Sequence, residues 1–261
     1  MAYLYETHLH TSEASKCGKV SGADYISYLI DKGYSGMVVT DHFFNGNTCI
    51  PQDLSWKARV EQYMSGYEAA SAAICGRDFD VLFGVEFNFD KDEYLLYGID
   101  GKWLADNEEI MNMTRTELFA AVHKAGGIMV QAHPFRQRDY ISRINLSPLT
   151  CDAVEVYNAA NSDNMNALAY EYASGLKLPM TSGSDIHYFH DRDMGGMLFD
   201  KRIRSSREYA DSFRSGVPVR LRPGGRIESV DSCRELTVST ALPDLEVFYP
   251  EGRKKNLANA K

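Results

Sequence analysis

Tyr3-Leu4-Tyr5-Glu6-Thr7-His8-Leu9-His10 is an apolar, strand-like run that ends in two histidines one residue apart. Side chains alternate along a strand, so His8 and His10 share one face and Leu9 takes the other. Two imidazoles on one face can hold one metal ion. The run therefore predicts a strand with a candidate ligand pair at its carboxyl end, and the fold follows from the repetition of that arrangement further along the chain.

Gly36-Met37-Val38-Val39-Thr40 is a short continuous apolar run, as expected for a strand buried on both faces, and it leads into Asp41-His42. Residues 80–85 form another and end in Glu86; residues 127–132 lead into His133-Pro134; residues 153–157 lead into Asn158. Residues 178–182 precede Gly183-Ser184-Asp185-Ile186-His187, and residues 94–99 supply one more strand. Helical spacing lies between them: residues 22–32 with Tyr25, Ile26, Leu29 and Ile30 on one side, a single long helix over 54–75, residues 114–124 and residues 163–174. Thr114 with Glu117 three residues on is a capping-box signature. Short strands alternating with helices predict parallel βαβ units, and about seven strands are close to the number that closes a (β/α) barrel.

Such a barrel gathers the residues at its strand carboxyl ends on one face. Five of the seven histidines, together with Glu86 and Asp185, occupy those ends, which predicts a metal centre there. Imidazole and carboxylate donors without thiolates suit zinc, manganese or iron, and the set is too large for one ion. Two or three divalent ions would use it, with Glu86 and Asp185 as bridging groups because a carboxylate offers two oxygens. Closely spaced ions suit hydrolysis of a phosphate ester. Arg136 and Arg192 are candidate phosphate contacts, and Asn158 a candidate to orient ligand or water. His190 is a candidate general acid, and Asp41 a candidate support for a ligating imidazole.

The motifs Thr7-His8-Leu9-His10-Thr11, Val39-Thr40-Asp41-His42, Gly84-Val85-Glu86, Ala132-His133-Pro134 and Gly183-Ser184-Asp185-Ile186-His187 together resemble the five motifs of the PHP (polymerase and histidinol phosphatase) domain, in order, over residues 3 to about 190. The resemblance implies an α/β fold, a distorted (β/α)7 barrel with a trinuclear metal centre, and phosphoesterase activity on small phosphate monoesters or nucleotides. It implies that His8, His10, Glu86 and Asp185 hold a first metal, Glu86 and His133 a second, and His42 with His187 a third. Two positions depart from the family pattern. Ser15 stands where many relatives carry an acid or histidine, and Glu13 is the expected substitute; Glu93 is the expected substitute for a histidine in the strand after Glu86. The 46 residues between Glu86 and His133 leave no room for the covering helical insertion of some relatives, so an open mouth is expected.

Beyond residue 200 the alternation stops. A helix over 205–215, a strand over 218–221, a break at Arg222-Pro223-Gly224-Gly225 and short antiparallel strands near Val238 and over 245–249 predict a barrel domain at 1–221 with a β-containing C-terminal appendage at 222–261 packed on it. The chain of 261 residues is 44% hydrophobic and 25% charged, with no membrane-length apolar run and no signal-peptide pattern, so a cytoplasmic globular protein is expected. Five scattered cysteines, none in a C-x-x-C pair, predict buried or free thiols rather than a disulfide framework or a thiolate zinc site. The net charge of -8 divides into -13 over residues 1–200 and +5 over residues 201–261. So acidic a body disfavours extended nucleic acid. The expected function is a metal-dependent phosphoesterase acting on a small phosphorylated substrate. The alternatives are a 3′-5′ exonuclease-like phosphodiesterase and a non-catalytic metal-binding regulatory module.

Overall fold

The computed structural model describes residues 2–214, 220–222, 246–248 and 254–256. Strand β1 (Tyr3–Leu9) is the hub: β2 (Gly36–Val39) and β3 (Asp80–Phe89) follow it in parallel, with helix α1 (Gly22–Asp31) returning the chain from β1 to β2. Strand β4 (Asp92–Tyr97) runs antiparallel to both β3 and β5 (Ile128–Gln131); β6 (Ala153–Asn158) and β7 (Met180–Gly183) then continue in parallel from β5. These are the seven strands that the alternation predicts, in spatial order β7-β6-β5-β4-β3-β2-β1.

An eighth strand, β8 (Gly196–Phe199), pairs antiparallel with the outer part of β1 and packs against β7. Gly196 N–H donates to Ser182 Oγ at 3.0 Å, and Gly195 N–H to Ser184 Oγ at 2.9 Å. Past β8 the first and last strands meet directly: Leu9 bridges Ile186, with His10 N–H to the Ile186 carbonyl at 3.0 Å and Ile186 N–H to the His8 carbonyl at 3.2 Å. The result is a nearly closed, distorted barrel whose seam runs through the ligand motifs of both ends. The expected strand over 218–221 is β9 (Arg220–Arg222), antiparallel to β8. Of the expected appendage, only Arg222 and a two-stranded ribbon of β10 (Glu246–Phe248) and β11 (Lys254–Asn256) fall within the described residues; Val238 lies outside them. Among the described residues no helix is long and apolar enough to cross a membrane.

Two expectations are corrected. The uniform βαβ reading fails at β3–β4, which form a hairpin: Asp90 and Lys91 both have positive φ (49° and 78°), the two-residue turn that matches strand twist. The hairpin sets Glu93 opposite Asn88 and carries it back to the mouth beside Glu86. The single helix over 54–75 is two, α2 (Trp56–Tyr63) and α3 (Ser65–Ala73), separated at Met64. A Ser65-Gly66 pair follows the break, with Ser65 Oγ donating back to the Gln62 carbonyl at 2.6 Å.

Gly66 shows why the direction changes there. A Cβ at this position would lie 2.2 Å from Thr11 Oγ1, and one on Gly22 would lie 2.1 Å from the Gly66 carbonyl oxygen, so α1 and α3 meet backbone to backbone and the Thr11 side chain packs directly on the Gly66 main chain. Replacing Gly22 by Ala drives a methyl into a main-chain oxygen that cannot rotate away. The expected loss is about 3 kcal/mol, read as a shift of the urea midpoint at unchanged slope.

The apolar layer between barrel and helices has two parts. One is a large cluster running from Tyr5 through Phe43, Phe87, Leu96 and Val130 to Tyr209; the other is smaller, with Leu4, Leu9, Tyr25, Ile26, Leu29 and Met37 under α1. Helix α5 (Arg115–Lys124) opens with the expected capping box: Glu117 N–H donates to Thr114 Oγ1, and Thr114 N–H donates to Glu117. Helices α4 (Gly101–Asp106), α6 (Asp163–Leu176) and α7 (Ser206–Arg214) complete the outer layer.

Candidate metal centre

The strand carboxyl ends converge on Glu86. Its Oε1 lies 3.1 Å from His8 Nε2 and 3.2 Å from His133 Nε2, and its Oε2 lies 2.5 Å from His42 Nδ1 and 3.6 Å from His10 Nε2. Asp185 closes the far side, with Oδ1 3.0 Å from His10 Nε2, 3.5 Å from His8 Nε2 and 3.6 Å from His187 Nδ1. Glu93 reaches in from β4, at 3.8 Å from His42 Nδ1 and 3.5 Å from His133 Nε2. Four overlapping groups have donor atoms within 4.8 Å of one another: His8-Glu86-His133, His8-His10-Asp185, His42-Glu86-Glu93 and His10-His42-His187. Eight of the nine expected metal-binding residues are thus brought together.

The ninth, Glu13, is not among them. Its carboxylate accepts Gly22 N–H at 3.2 and 3.3 Å, because the unpaired amides at the start of α1 draw a nearby anion. Arg136 and Asn158 do join the centre. The Arg136 guanidinium pairs with Asp185 Oδ2 and donates to Asn158 Oδ1 and Asn161 Oδ1, each at 3.0 Å. The structure leaves His190 and Arg192 outside. The main-chain carbonyl and N–H of His190 are both tied to Tyr28 Oη, its ring Nδ1 accepts Arg192 N–H at 3.2 Å, and the Arg192 guanidinium turns to Tyr188 Oη. Ile141, Arg143, Ile144 and Asn145 of the β5–β6 connection wall a pocket beside Glu93, His133 and Arg136.

Three supporting residues went unrecognised in the sequence. Glu155 is a single carboxylate in the apolar run of β6, and that isolation was the available signal. It accepts from His8 Nδ1 at 2.9 Å, from His133 N–H at 3.1 Å and from Asn158 Nδ2 at 2.9 Å. Ser15 Oγ donates to Asp41 at 2.6 Å and lies 3.3 Å from His10 Nδ1, so Asp41 steadies an imidazole through Ser15 rather than by direct contact. With Nδ1 of His8 and of His10 each engaged in this way, both rings turn Nε2 toward Glu86 and Asp185.

Glu6 is the third of these residues, buried below His8 with Oε1 accepting His8 N–H at 2.8 Å and Ser184 N–H at 2.9 Å. Burial pushes its carboxyl up to about 7, against the pull of those bonds. The folded state therefore holds this proton more tightly than the unfolded chain does. The associated stability is complete below the ordinary value of 4.5 and is lost as pH rises through about 7. Metal-free Glu6→Gln is expected to gain about 3 kcal/mol over the parent between pH 5 and pH 8, measured by urea unfolding at both pH values.

The electrostatics favour a cation. Burial alone would neutralise Glu86, but His42 and His8 outweigh it and hold the carboxyl well below the usual range. Asp185 is held low in the same way, burial being overcome by Arg136 and His8. His10 is kept neutral by burial and by the charges of His42 and His187. Four buried atoms, His8 Nε2, His10 Nε2, His42 Nδ1 and Glu86 Oε2, have no hydrogen-bond partner although all face one another. Unpaired buried polar atoms are rare and costly. Lone-pair donors aimed at a common space fit divalent metal ions, so the donor set passes the test of fit. Backbone geometry is also unusual here: His133 and Asp185 have φ of 28° and 53°, a region that residues other than glycine seldom occupy and that is found where a site overrides local preference.

Comparison with known proteins places the fold. No family model matches the chain, and no curated protein matches it by sequence. Among solved structures it is similar to a two-domain protein of Bacteroides vulgatus containing a predicted PHP-like metal-dependent phosphoesterase. That match has a TM-score of 0.64 and 15% identity, over 86% of this chain and 65% of the other, so this chain spans less than two thirds of that protein. It is similar also to a proposed metal-dependent phosphoesterase of Bifidobacterium adolescentis, with a TM-score of 0.53 and 15% identity over 82% and 96% of the two chains. A third is the lesion-specific endonuclease EndoQ of Pyrococcus furiosus, with a TM-score of 0.51 and 11% identity over 85% and 58%. These matches show that the chain shares the barrel fold of those structures.

Proposed function

We propose that the chain is a metal-dependent hydrolase of phosphate esters, acting on a small phosphate monoester or nucleotide. The observation that carries this reading is the convergence of four overlapping donor groups, with four orphaned buried atoms among them, on the mouth of a PHP-like barrel. His8, His10, His42, Glu86, Glu93, His133, Asp185 and His187 would hold two or three divalent ions, with Glu86 and Asp185 shared between them. Bound there, such ions supply Lewis acidity to a phosphoryl oxygen and acidify the attacking water. The protein's own part is positional. Glu155 and Ser15 fix the tautomers of His8 and His10, and Asn158 holds Arg136 against Asp185 at the rim. Arg136 then presents its remaining N–H groups to the substrate phosphate, a geometry suited to bidentate contact.

Purified chain loaded with zinc, manganese or iron and assayed with an aryl phosphate tests the class: release above a His8→Ala control supports the proposal, and none with any metal sinks it. Metal analysis finding fewer than two ions per chain removes the multinuclear form. A parallel assay with a single-stranded oligonucleotide separates the monoesterase reading from exonuclease-like phosphodiesterase action, which the charge of -13 over residues 1–200 opposes.

A further inference from the structure

Arginine is a long, flexible side chain, yet most of the Arg136 guanidinium is already anchored. Its Nε–H donates to Asn161 Oδ1 and its Nη2 to Asn158 Oδ1, each at 3.0 Å, and Nη2 also pairs with Asp185 Oδ2. The N–H groups of Nη1 are left for a ligand. Both asparagines belong to the turn that leaves β6, Asn158-Ala159-Ala160-Asn161, and that turn closes on itself: Asn158 Oδ1 accepts Ala160 N–H at 3.0 Å, and the Asn158 carbonyl accepts Asn161 N–H at 3.0 Å. Because Arg136 and the Ala160 amide are both donors, the orientation of the Asn158 carboxamide is settled, and its Nδ2 turns to Glu155 at 2.9 Å. Asn166, in the first turn of α6, grips the same main chain from behind: its Oδ1 accepts Asn158 N–H and its Nδ2 donates to the Asn158 carbonyl, each at 3.1 Å. Ala159 N–H ties the other side of the turn to the Gly183 carbonyl at 3.1 Å, two residues before Asp185. Asn166 is only 3% exposed, and asparagine is a weak helix former, so its place in α6 answers to Asn158 rather than to the helix.

We infer that Asn161 and Asn166 are positioning residues for the substrate phosphate: Asn161 directly, and Asn166 through Asn158, hold the Arg136 guanidinium at the rim with Nη1 free. The inference rests on the phosphoesterase reading proposed above and extends its phosphate contact from one arginine to the turn that carries it. A loose arginine would surrender its side-chain freedom each time a phosphate bound; here that ordering is completed on folding, and the phosphate meets a guanidinium already in place. The donor groups of the metal centre include neither residue, and the hydrogen bonds of the two side chains run to Arg136 and to the Asn158 main chain. Their loss should therefore weaken phosphate recognition and leave metal binding alone.

The test is a double-mutant cycle in the metal-loaded full chain, read by calorimetric binding of inorganic phosphate and by KM and kcat for an aryl phosphate. Asn161→Ala removes one acceptor of Arg136, and Asn166→Asp keeps the acceptor for Asn158 N–H but sets an oxygen against the Asn158 carbonyl. Each is expected to weaken phosphate binding and raise KM by about 10-fold, with metal content unchanged and kcat within about 2-fold. In an Arg136→Ala background the same substitutions should change both readouts by less than about 2-fold, because the group they position is gone. A purely structural role predicts the same loss in both backgrounds. Asn161 is half-buried, so its variant reads the inference even where Asn166→Asp unfolds. Effects that persist in the Arg136→Ala background, a fall in metal content, or unaltered phosphate binding in the single variants overturns the inference alone. A parent that neither binds phosphate nor hydrolyses the ester overturns the phosphoesterase reading as well.

Discussion

Glu86→Gln is expected to lower kcat/KM for an aryl phosphate by about 10³-fold or more while the barrel stays folded. The amide has the size of the carboxylate, so packing against the four surrounding imidazoles is kept. What is lost is the one anion that His8, His10, His42 and His133 all face, at 2.5 to 3.6 Å. Among the described residues no other carboxylate touches all four, and its two oxygens point to different imidazoles. Steady-state kinetics with metal analysis on the same samples checks this: a variant that keeps both its metal content and its turnover would remove Glu86 from the centre of the mechanism. Near-ultraviolet circular dichroism shows whether the fold survives.

Arg136→Ala is expected to raise KM for the phosphate substrate by about 100-fold, and also to destabilise the metal-free chain by about 3 kcal/mol. The two effects share one origin. In the metal-free chain the guanidinium is the largest of the charges that offset the buried Asp185, and removing it leaves that carboxylate under-compensated. When metal is present Asp185 has another counter-charge, so the stability loss should shrink to less than half while the KM effect remains. Urea unfolding with and without zinc, beside a kinetic KM-against-kcat split, separates the roles. An equal stability loss in both states would make Arg136 a structural ion pair and nothing more.

The barrel was readable because its signal is repeated. Buried strands such as Gly36–Val39 and Ile128–Gln131 are continuous apolar runs, and each ends in a polar group that an apolar environment would reject without a purpose. Where the signal is not repeated the reading failed. The β3–β4 hairpin turns on Asp90-Lys91, a pair without glycine, and no periodicity marks it. Strand β8 is only four residues long and pairs with residues of β1 that lie 192 to 196 positions away. The break between α2 and α3 answers to Thr11, a residue far off in sequence.

The same contrast holds within the site. His8, His10, His42, Glu86, His133, Asp185 and His187 announce themselves by position at strand ends. Glu155 and Ser15 act through neighbours that only folding supplies, and Glu13 shows how a residue at a suitable spacing can lie against a helix end instead. His190 and Arg192 follow the last motif closely in sequence but turn toward Tyr28 and Tyr188.

The seam between β1 and Ile186 carries a consequence for the order of events in the cell. Thr7 Oγ1 reaches the Ser182 carbonyl across 175 residues, and Ser184 N–H reaches Glu6 across 178. The donors on the two sides of that join, His8 and His10 on one and Asp185 and His187 on the other, come together only when segments 175 residues apart meet. A ribosome-bound chain has synthesised its first histidines long before it has a pocket to put them in. Metal bound at the completed centre would therefore arrive late, after the Asp185 motif has emerged and the two sides of the seam have met.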